Sequence, residues 1–333
     1  MTDTAYDAPL SAEDMTRQMD AIISGRLPGE EIGRFLSGLA RRGETAEEIA
    51  AAVGVLRSRA VRLPLIRTDG LCDTCGTGGD GQGTINVSTL AALIAAAAGV
   101  RIVKHGNRAA SSRCGSADLL EALGLNLDAT PEQVARSVEE TGFGFCFAPR
   151  FHPAMKAVAP IRKSLGIRTI FNLIGPLANP APLTFQLVGV SDRRLLQPMA
   201  AALVRLGIRH GLVVHGADGL DEVTTTGHTE ALEVRDGRVE PQRIDPGAWG
   251  VPRAAREALR GGDAAANAAI ARRVLRGEAG AARDIILVNA GCAIYVAGAA
   301  ASIPEGVTKA AAAVDAGQAA RLLETVVRIS HAE

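Results

Sequence analysis

The chain has 333 residues, enough for two domains or for one large domain with an appendage. Hydrophobic residues make up 47% and aromatics only 3%, so a sizeable core is available and Ala, Leu, Val and Ile must fill it. Lys and Arg balance Asp and Glu at 36 each, which removes any general electrostatic pull toward nucleic acid or an anionic membrane. Five cysteines, an odd number and scattered, fit a reducing cytosol. Residues 1–14 are polar and acidic, unlike a signal peptide. The most apolar run, 90–100, is too short and too alanine-rich to span a bilayer. The expectation is a cytoplasmic protein with no nucleic-acid or membrane partner.

From residue 11 to about 61, apolar residues recur at spacings of three and four, as in Ile32, Phe35, Leu36 and Leu39, which predicts three or four helices. Pro28, Gly29 and Gly43-Glu44-Thr45 punctuate them. Thr45, three residues before Glu48, has the spacing of a capping box. Near Leu71 the pattern turns to βα alternation. Strands are predicted over 99–104, 185–190, 211–215 and 284–288, and helices over 117–123 and 195–206. Such alternation predicts an α/β domain with a largely parallel sheet. Residues 237–252 carry the only Trp, Trp249, and several turn residues, and read as a surface excursion. An alanine-rich tail, 308–329, reads as one helix. The expected division is a small helical domain over 1–69, with helices from about 131–172 packing on it, and a large α/β domain over 70–333.

The strongest local signal is Gly76-Thr77-Gly78-Gly79-Asp80-Gly81. Glycines at this density let the backbone approach a ligand and present N–H groups to an anion. The run also satisfies G-x-G-x-x-G, but a dinucleotide fingerprint needs a helix opening inside the glycines. Here the polar stretch 82–87 intervenes. Asn86-Val87-Ser88-Thr89 then leads into the helix former 90–98, with Ser88 or Asn86 as N-cap. A helix N-terminus facing a glycine loop makes a phosphate site.

Lys104-His105-Gly106-Asn107-Arg108 follows a predicted strand, and Ser111-Ser112 and Gly115-Ser116 come next. Two cations, an amide and several hydroxyls at a strand end suit a polyanion. Arg162 could grip a carboxylate with two bonds, or could lie on a solvated helix face. His215-Gly216-Ala217-Asp218-Gly219-Leu220-Asp221-Glu222 leaves a strand through a glycine loop and ends in adjacent carboxylates. Such a pair suits Mg²⁺, and in isolation it suits a charged turn equally. Cys72-Asp73-Thr74-Cys75 lacks the second ligand pair of a zinc site and reads as buried strand.

In this order the motifs resemble anthranilate phosphoribosyltransferases, over nearly the whole chain. The matching runs are 76–81, 86–89, 104–116, His152-Pro153-Ala154-Met155-Lys156, 162–180 and 219–222. The resemblance extends from the Gly43-Glu44-Thr45 segment to Val288-Asn289-Ala290. Cys75 and Ile85 depart from the aliphatic residue and the Phe expected there, without touching a functional position. The resemblance implies a nucleoside phosphorylase / phosphoribosyltransferase-like fold: a large α/β domain with a central, largely parallel sheet plus a small all-helical domain. It implies a homodimer that uses Mg²⁺ to transfer phosphoribose from phosphoribosyl pyrophosphate (PRPP) to anthranilate in tryptophan biosynthesis. By the same resemblance PRPP is surrounded by Gly76, Gly79, Asp80, Thr84, Asn86, Val87, Ser88, Thr89, Lys104, His105, Gly106, Asn107, Arg108, Ala109, Ala110, Ser111, Ser112 and Ser116. Gly76, Asn107 and Arg162 contact anthranilate, and Ser88, Asp221 and Glu222 hold the metal.

A pyrimidine-nucleoside phosphorylase looks similar in fold and in the Lys-His-Gly-Asn run. Its attacking group is phosphate and its substrate carries no pyrophosphate, so the glycine loop and the Asp221-Glu222 pair favour the transferase. A nucleic-acid-binding protein on the same scaffold would show a basic surface. The neutral charge and the intact acidic pair oppose that reading.

Overall fold

The computed structural model describes residues 6–109 and 112–332. Ala110 and Ser111, both in the predicted phosphate-binding stretch, lie outside the described residues.

The chain opens with three helices, α1 (Ala12–Ile23), α2 (Gly29–Arg42) and α3 (Ala46–Ser58). Their ends are set locally. The Ser11 hydroxyl accepts from the Asp14 N–H at 3.1 Å, α2 stops where Gly43 takes φ 87°, and Thr45 and Glu48 form the expected capping box. Met15, Met19, Phe35, Leu36, Ile49 and Val53 bury the inner faces completely. Glu48 is buried as well, and its carboxylate is satisfied by Arg42 and by the Leu10 and Thr45 N–H groups.

Among the described residues seven strands form one sheet: β1 (Leu71–Gly76), β2 (Arg101–Gly106), β3 (Phe143–Phe147), β4 (Phe185–Gly189), β5 (His210–Gly216), β6 (Thr229–Arg235) and β7 (Arg238–Ile244). The spatial order is β3-β2-β1-β4-β5-β6-β7. Pairing is parallel from β3 through β5 and antiparallel from β5 to β7. The chain winds outward to β3, then returns to β4 on the other side of β1. The order therefore reverses between β1 and β4, where open α/β sheets place ligands beyond the strand ends.

Eleven further helices cover the sheet among the described residues: α4 (Val87–Ala97), α5 (Ser116–Ala122), α6 (Pro131–Thr141), α7 (Ala148–Phe151), α8 (Ala159–Leu165), α9 (Ile170–Leu177), α10 (Leu196–Arg205), α11 (Ala264–Leu275), α12 (Ala281–Val296), α13 (Ile303–Asp315) and α14 (Gln318–Ser330). One core joins α4, α12 and the C-terminal helices to one sheet face; the other joins α1, α2, α3, α9 and α10 to the opposite face. Helix α8 packs on α2 and α9 on α3, while α6 lies against β3 and α14.

Three expected elements differ. Residues 284–288 are helical, inside α12, whose residues from Ile285 to Ile294 are all buried. A short apolar run of that kind reads the same in a buried strand and a buried helix. The tail expected as one helix is two, α13 and α14, broken where Gly317 takes φ 69°. Residues 237–252 are not an excursion: the first half of the stretch is the edge strand β7, followed by a short helical turn over Pro246–Trp249. Pro241 and the exposed polar side chains of β7 hid its pairing with β6, and an edge strand tolerates both.

Cys72 and Cys75 lie in β1 and pack into opposite cores. Residues three apart in a strand point to opposite faces, so the two thiols cannot share a metal. All five cysteines are buried and free.

Candidate active site

Four of the five parallel strands end in glycine: Gly76, Gly106, Gly189 and Gly216. Each end lies tight against another segment. A Cβ on Gly76 would stand 2.3 Å from the Asp221 carboxylate, one on Gly106 2.1 Å from the Ser116 hydroxyl, and one on Gly189 1.6 Å from the Asp221 carbonyl oxygen. The sheet edge is thus built for close approach of backbone.

Beyond Gly76 the glycine loop turns through Gly78, Gly79, Gly81 and Gly83, all with φ between 63° and 76°. Side chains rarely adopt that region, which explains the glycine density. The loop is held at both ends: Thr77 N–H donates to the Gly189 carbonyl at 2.9 Å, and Gly78 N–H donates to Asp221 Oδ2 at 2.7 Å. The Asp80 side chain accepts from the Gln82 N–H at 3.1 Å, and Thr84 pairs with Arg260 in an isolated bridge.

Asn86 is the N-cap of α4, but its side chain makes no cap bond. Val87 and Thr89 are buried. The Ser88 N–H, expected to face the glycine loop, donates instead to Glu222 Oε1 at 3.0 Å. The positive end of α4 therefore already holds a carboxylate.

At the end of β2, Lys104 is 2% exposed; its Nζ donates to the Thr74 carbonyl at 2.5 Å and stands 3.5 Å from the Ser88 hydroxyl. Behind it, Asp73 is wholly buried, its Oδ2 accepting from Asn179 at 2.8 Å. Burial pushes Asp73 up to about 6, against the pull of Lys104. Burial, then the His152 ring 5.0 Å away, presses His105 down to about 3. A neutral, buried imidazole of so low a pKa is a poor base near pH 7.

Stability depends on pH through this residue. The unfolded chain takes up the His105 proton near 6.5, whereas the folded chain does so only near 3. The stabilisation is present above the unfolded value and is lost as pH falls through that window. His105→Asn is expected to flatten the fall in unfolding free energy between about pH 6 and 4, by up to about 1.4 kcal/mol per pH unit. Denaturant midpoints measured across that range check it; identical slopes for both proteins would mean that His105 is not held neutral. Asp73 titrates in the opposite sense in both proteins, so the difference isolates His105.

Residues 108–109 and Gly115 are tied together by Asp118, a residue that sequence reading passed over. Its carboxylate accepts from the Ala109 and Gly115 N–H groups at 2.8 Å each and from Arg108 at 3.0 Å. Arg108 also pairs with Glu121 at 2.6 Å, so its charge is shared with protein carboxylates. The Asn107 carbonyl accepts from the Ser116 hydroxyl at 3.2 Å, and Ser112 Oγ reaches the Cys114 carbonyl at 3.4 Å. An acid three residues into a helix preceded by glycine was the available signal.

The loop after β5 is braced from within. Asp218 Oδ2 accepts from the Thr224 and Thr226 hydroxyls, both at 2.6 Å. Asn289, buried in α12, accepts from the Val223 N–H and donates to the Val223 carbonyl, both at 2.9 Å. Asp221 and Glu222 thereby point toward the glycine loop and the α4 N-terminus. Burial, then the Asp80 carboxylate, raises Asp221 to about 6; burial, then Asp221, raises Glu222 well above the usual range. Three acids crowded in low dielectric resist ionisation until a cation joins them, so the residues present fit a hard divalent ion. Among the described residues no group of three or more His, Cys, Asp or Glu could hold a metal unaided. A site with few protein ligands is what Mg²⁺ uses when substrate phosphates complete its shell.

The glycine loop, α4, Lys104 and the acidic pair are joined by direct bonds. Arg162 is not joined to them. It lies half-buried on α8 with its guanidinium 5.3 Å over the Phe171 ring, and no hydrogen bond or ion pair engages it among the described residues. Burial lowers its pKa. Further along the same 162–180 run, Arg168 donates to the Ser191 hydroxyl at 3.3 Å, and Ser191 in turn donates to the Gly78 carbonyl at 2.9 Å.

A helical unit beside an α/β sheet, with an anion-suited loop at the switch point, is the two-part architecture of a glycosyl transferase family whose models match this chain. Residues 68–320 match the α/β domain of the glycosyl transferase family and residues 4–60 its helical bundle domain. The chain belongs to the anthranilate phosphoribosyltransferase family. It is 51% identical to the anthranilate phosphoribosyltransferase of Rubrobacter xylanophilus, over 98% of this chain and 95% of that one. The crystal structure of the Thermus thermophilus enzyme superposes with a TM-score of 0.93, at 47% identity over 98% and 97% of the two chains. The Saccharomyces cerevisiae enzyme in complex with PRPP and Mg superposes at 0.88, with 29% identity over 96% and 93%.

Proposed function

We propose that this chain transfers the 5-phosphoribosyl group of PRPP to the amine of anthranilate, giving N-(5-phosphoribosyl)anthranilate and pyrophosphate, in tryptophan biosynthesis. One observation carries the reading: the glycine loop, the α4 N-terminus, buried Lys104 and the Asp221-Glu222 pair meet at the switch point of the parallel sheet. That set suits a substrate rich in phosphate that arrives with a divalent cation.

In this reading PRPP lies against Gly76, Gly79, Asp80, Thr84, the 86–89 run, the 104–112 run and Ser116. Ser88, Asp221 and Glu222 hold Mg²⁺, which when bound supplies Lewis acidity to the leaving pyrophosphate. Lys104 and the glycine-loop N–H groups neutralise and orient the substrate. A C–N bond forms at ribose C1 as the bond to pyrophosphate breaks. The aromatic amine carries no extra proton at neutral pH and loses one after attack, so no general base is assigned. The low pKa of His105 agrees with that.

Arg162, with Asn107 and Gly76, receives anthranilate. A desolvated guanidinium stacked on Phe171 and free of protein acids is placed to take a carboxylate. Arg162→Ala is expected to raise the KM for anthranilate about tenfold to a hundredfold, a loss of roughly 1.5–3 kcal/mol, with little change for PRPP. Steady-state kinetics with each substrate varied in turn checks it. Equal losses for both substrates would assign Arg162 a general structural role.

The two bodies are taken as residues 1–69, with α8 and α9 against them, and 70–333; α6, expected to join the first body, lies on β3 and α14 instead. The enzyme is proposed as a cytoplasmic homodimer; among the described residues no helix is long and apolar enough to cross a membrane. Anthranilate fluoresces, and its depletion with PRPP and Mg²⁺ tests the reading directly. No depletion would defeat the transfer reading, and phosphate-dependent release of the base from a pyrimidine nucleoside would favour the phosphorylase alternative instead.

A further inference from the structure

Asn86 stands at the mouth of the proposed phosphoribosyl site, yet its side chain is already engaged. Its Nδ2 donates to the Cys114 carbonyl at 2.9 Å, and its Oδ1 accepts from Asn267 Nδ2 at 2.8 Å. Asn267 lies in the first turn of α11 and is 3% exposed. Its own Oδ1 accepts from the Gly262 N–H at 2.7 Å.

This relay has one possible direction. The Cys114 end is a carbonyl, which can only accept, and the Gly262 end is an N–H, which can only donate. Both amides are therefore locked in one orientation. The surroundings are equally tight. A Cβ on Gly261 would meet the Thr84 carbonyl at 2.7 Å, Asn267 Oδ1 at 2.8 Å and the Ile85 nitrogen at 3.0 Å. The Gly261 N–H donates to the Gly83 carbonyl at 2.9 Å, and the Ile85 N–H to the Leu259 carbonyl at 3.1 Å. The 256–267 segment thus lies along the back of the glycine loop.

We propose that Asn267 is a positioning residue of the phosphoribosyl site: its buried amide sets the orientation of Asn86 and, through Asn86, holds Cys114 and the 112–116 stretch in register with the glycine loop. The assignment depends on the phosphoribosyl-transfer reading above. Three segments distant in sequence meet at this relay, Asn86 and Cys114 being 28 positions apart and Asn86 and Asn267 181. No local pattern could hold them together.

Asn267→Asp tests it with almost no change of shape. The carboxylate still accepts from Gly262 but cannot donate to Asn86. A flip of the Asn86 amide does not repair the relay, because its oxygen would then face the Cys114 carbonyl. The expected result is a KM for PRPP raised about tenfold, the effect of one lost buried hydrogen bond, with the KM for anthranilate unchanged. Asn86→Ala is expected to show the same split. The double variant is expected to be no worse than Asn86→Ala alone, since Asn267 acts through Asn86. If Asn267→Asp does not fold, Asn267→Ser, too short to reach Asn86, reads the same split. Additive losses in the double variant, equal KM rises for both substrates, or an unchanged KM for PRPP would each overturn the assignment. A wild-type chain that consumes no anthranilate defeats the transfer reading itself, whereas an active wild type with unaffected variants defeats only the role of Asn267.

Discussion

Replacing Asp221 by Asn together with Glu222 by Gln is expected to leave a folded protein that has lost about two to three orders of magnitude in rate at cellular magnesium. Both substitutions are isosteric, and an amide oxygen can still accept from the Gly78 and Ser88 N–H groups that the acids now engage. The loop geometry is therefore kept. What disappears is the charge that burial and mutual repulsion make costly without a cation. Leaving-group stabilisation of roughly 3–4 kcal/mol accounts for the size of the loss. Excess Mg²⁺ should recover part of it, because pyrophosphate brings its own ligands. The thermal midpoint should not fall, since a repulsive pair has been neutralised. Kinetics across a magnesium titration, with thermal unfolding alongside, decide the matter. A wild-type rate with unchanged magnesium dependence would falsify the metal assignment and return the pair to a surface turn.

Gly189→Ala is expected to cost about a hundredfold in kcat/KM and to raise the apparent magnesium requirement. The new Cβ would stand 1.6 Å from the Asp221 carbonyl oxygen and 2.3 Å from its carbonyl carbon. Neither partner is a flexible side chain. Strand β4 cannot retreat, because it pairs with β1 on one side and β5 on the other. The loop bearing Asp221 and Glu222 must therefore move by more than about 1 Å, and a shift of that size costs about 10²-fold where positioning is the main source of rate. Gly54→Ala serves as control: its Cβ meets nothing within 4 Å on α3, and a helical Gly→Ala change stabilises by about 0.5–1 kcal/mol. Normal kinetics for Gly189→Ala would show that the 216–222 loop can move freely and that its position is not what the site depends on.

Several features of this protein were determined by the sequence alone, because each is a local matter. The left-handed turns at Gly78, Gly79, Gly81 and Gly83 require glycine whatever surrounds them. The Thr45–Glu48 capping box closes within four residues, and the alanine-rich run before Val100 forms α4 as expected. The order of motifs along the chain was enough to identify the family.

Tertiary structure decided the rest, through bonds between residues far apart. Gly78 and Asp221 are 143 positions apart, and Ser88 and Glu222 are 134. Nothing in either neighbourhood announces its partner. For that reason the α4 N–H expected to face the glycine loop turned out to hold Glu222, and Arg108 turned out to be shared with Asp118 and Glu121. Asn289 shows the same limit. It stands just after the run 284–288 that reads as a strand, whereas in the fold it sits on a buried helix and grips the backbone beside Glu222. A buried helix and a buried strand are equally apolar, so only the packing of α12 between the sheet and α13 could separate them.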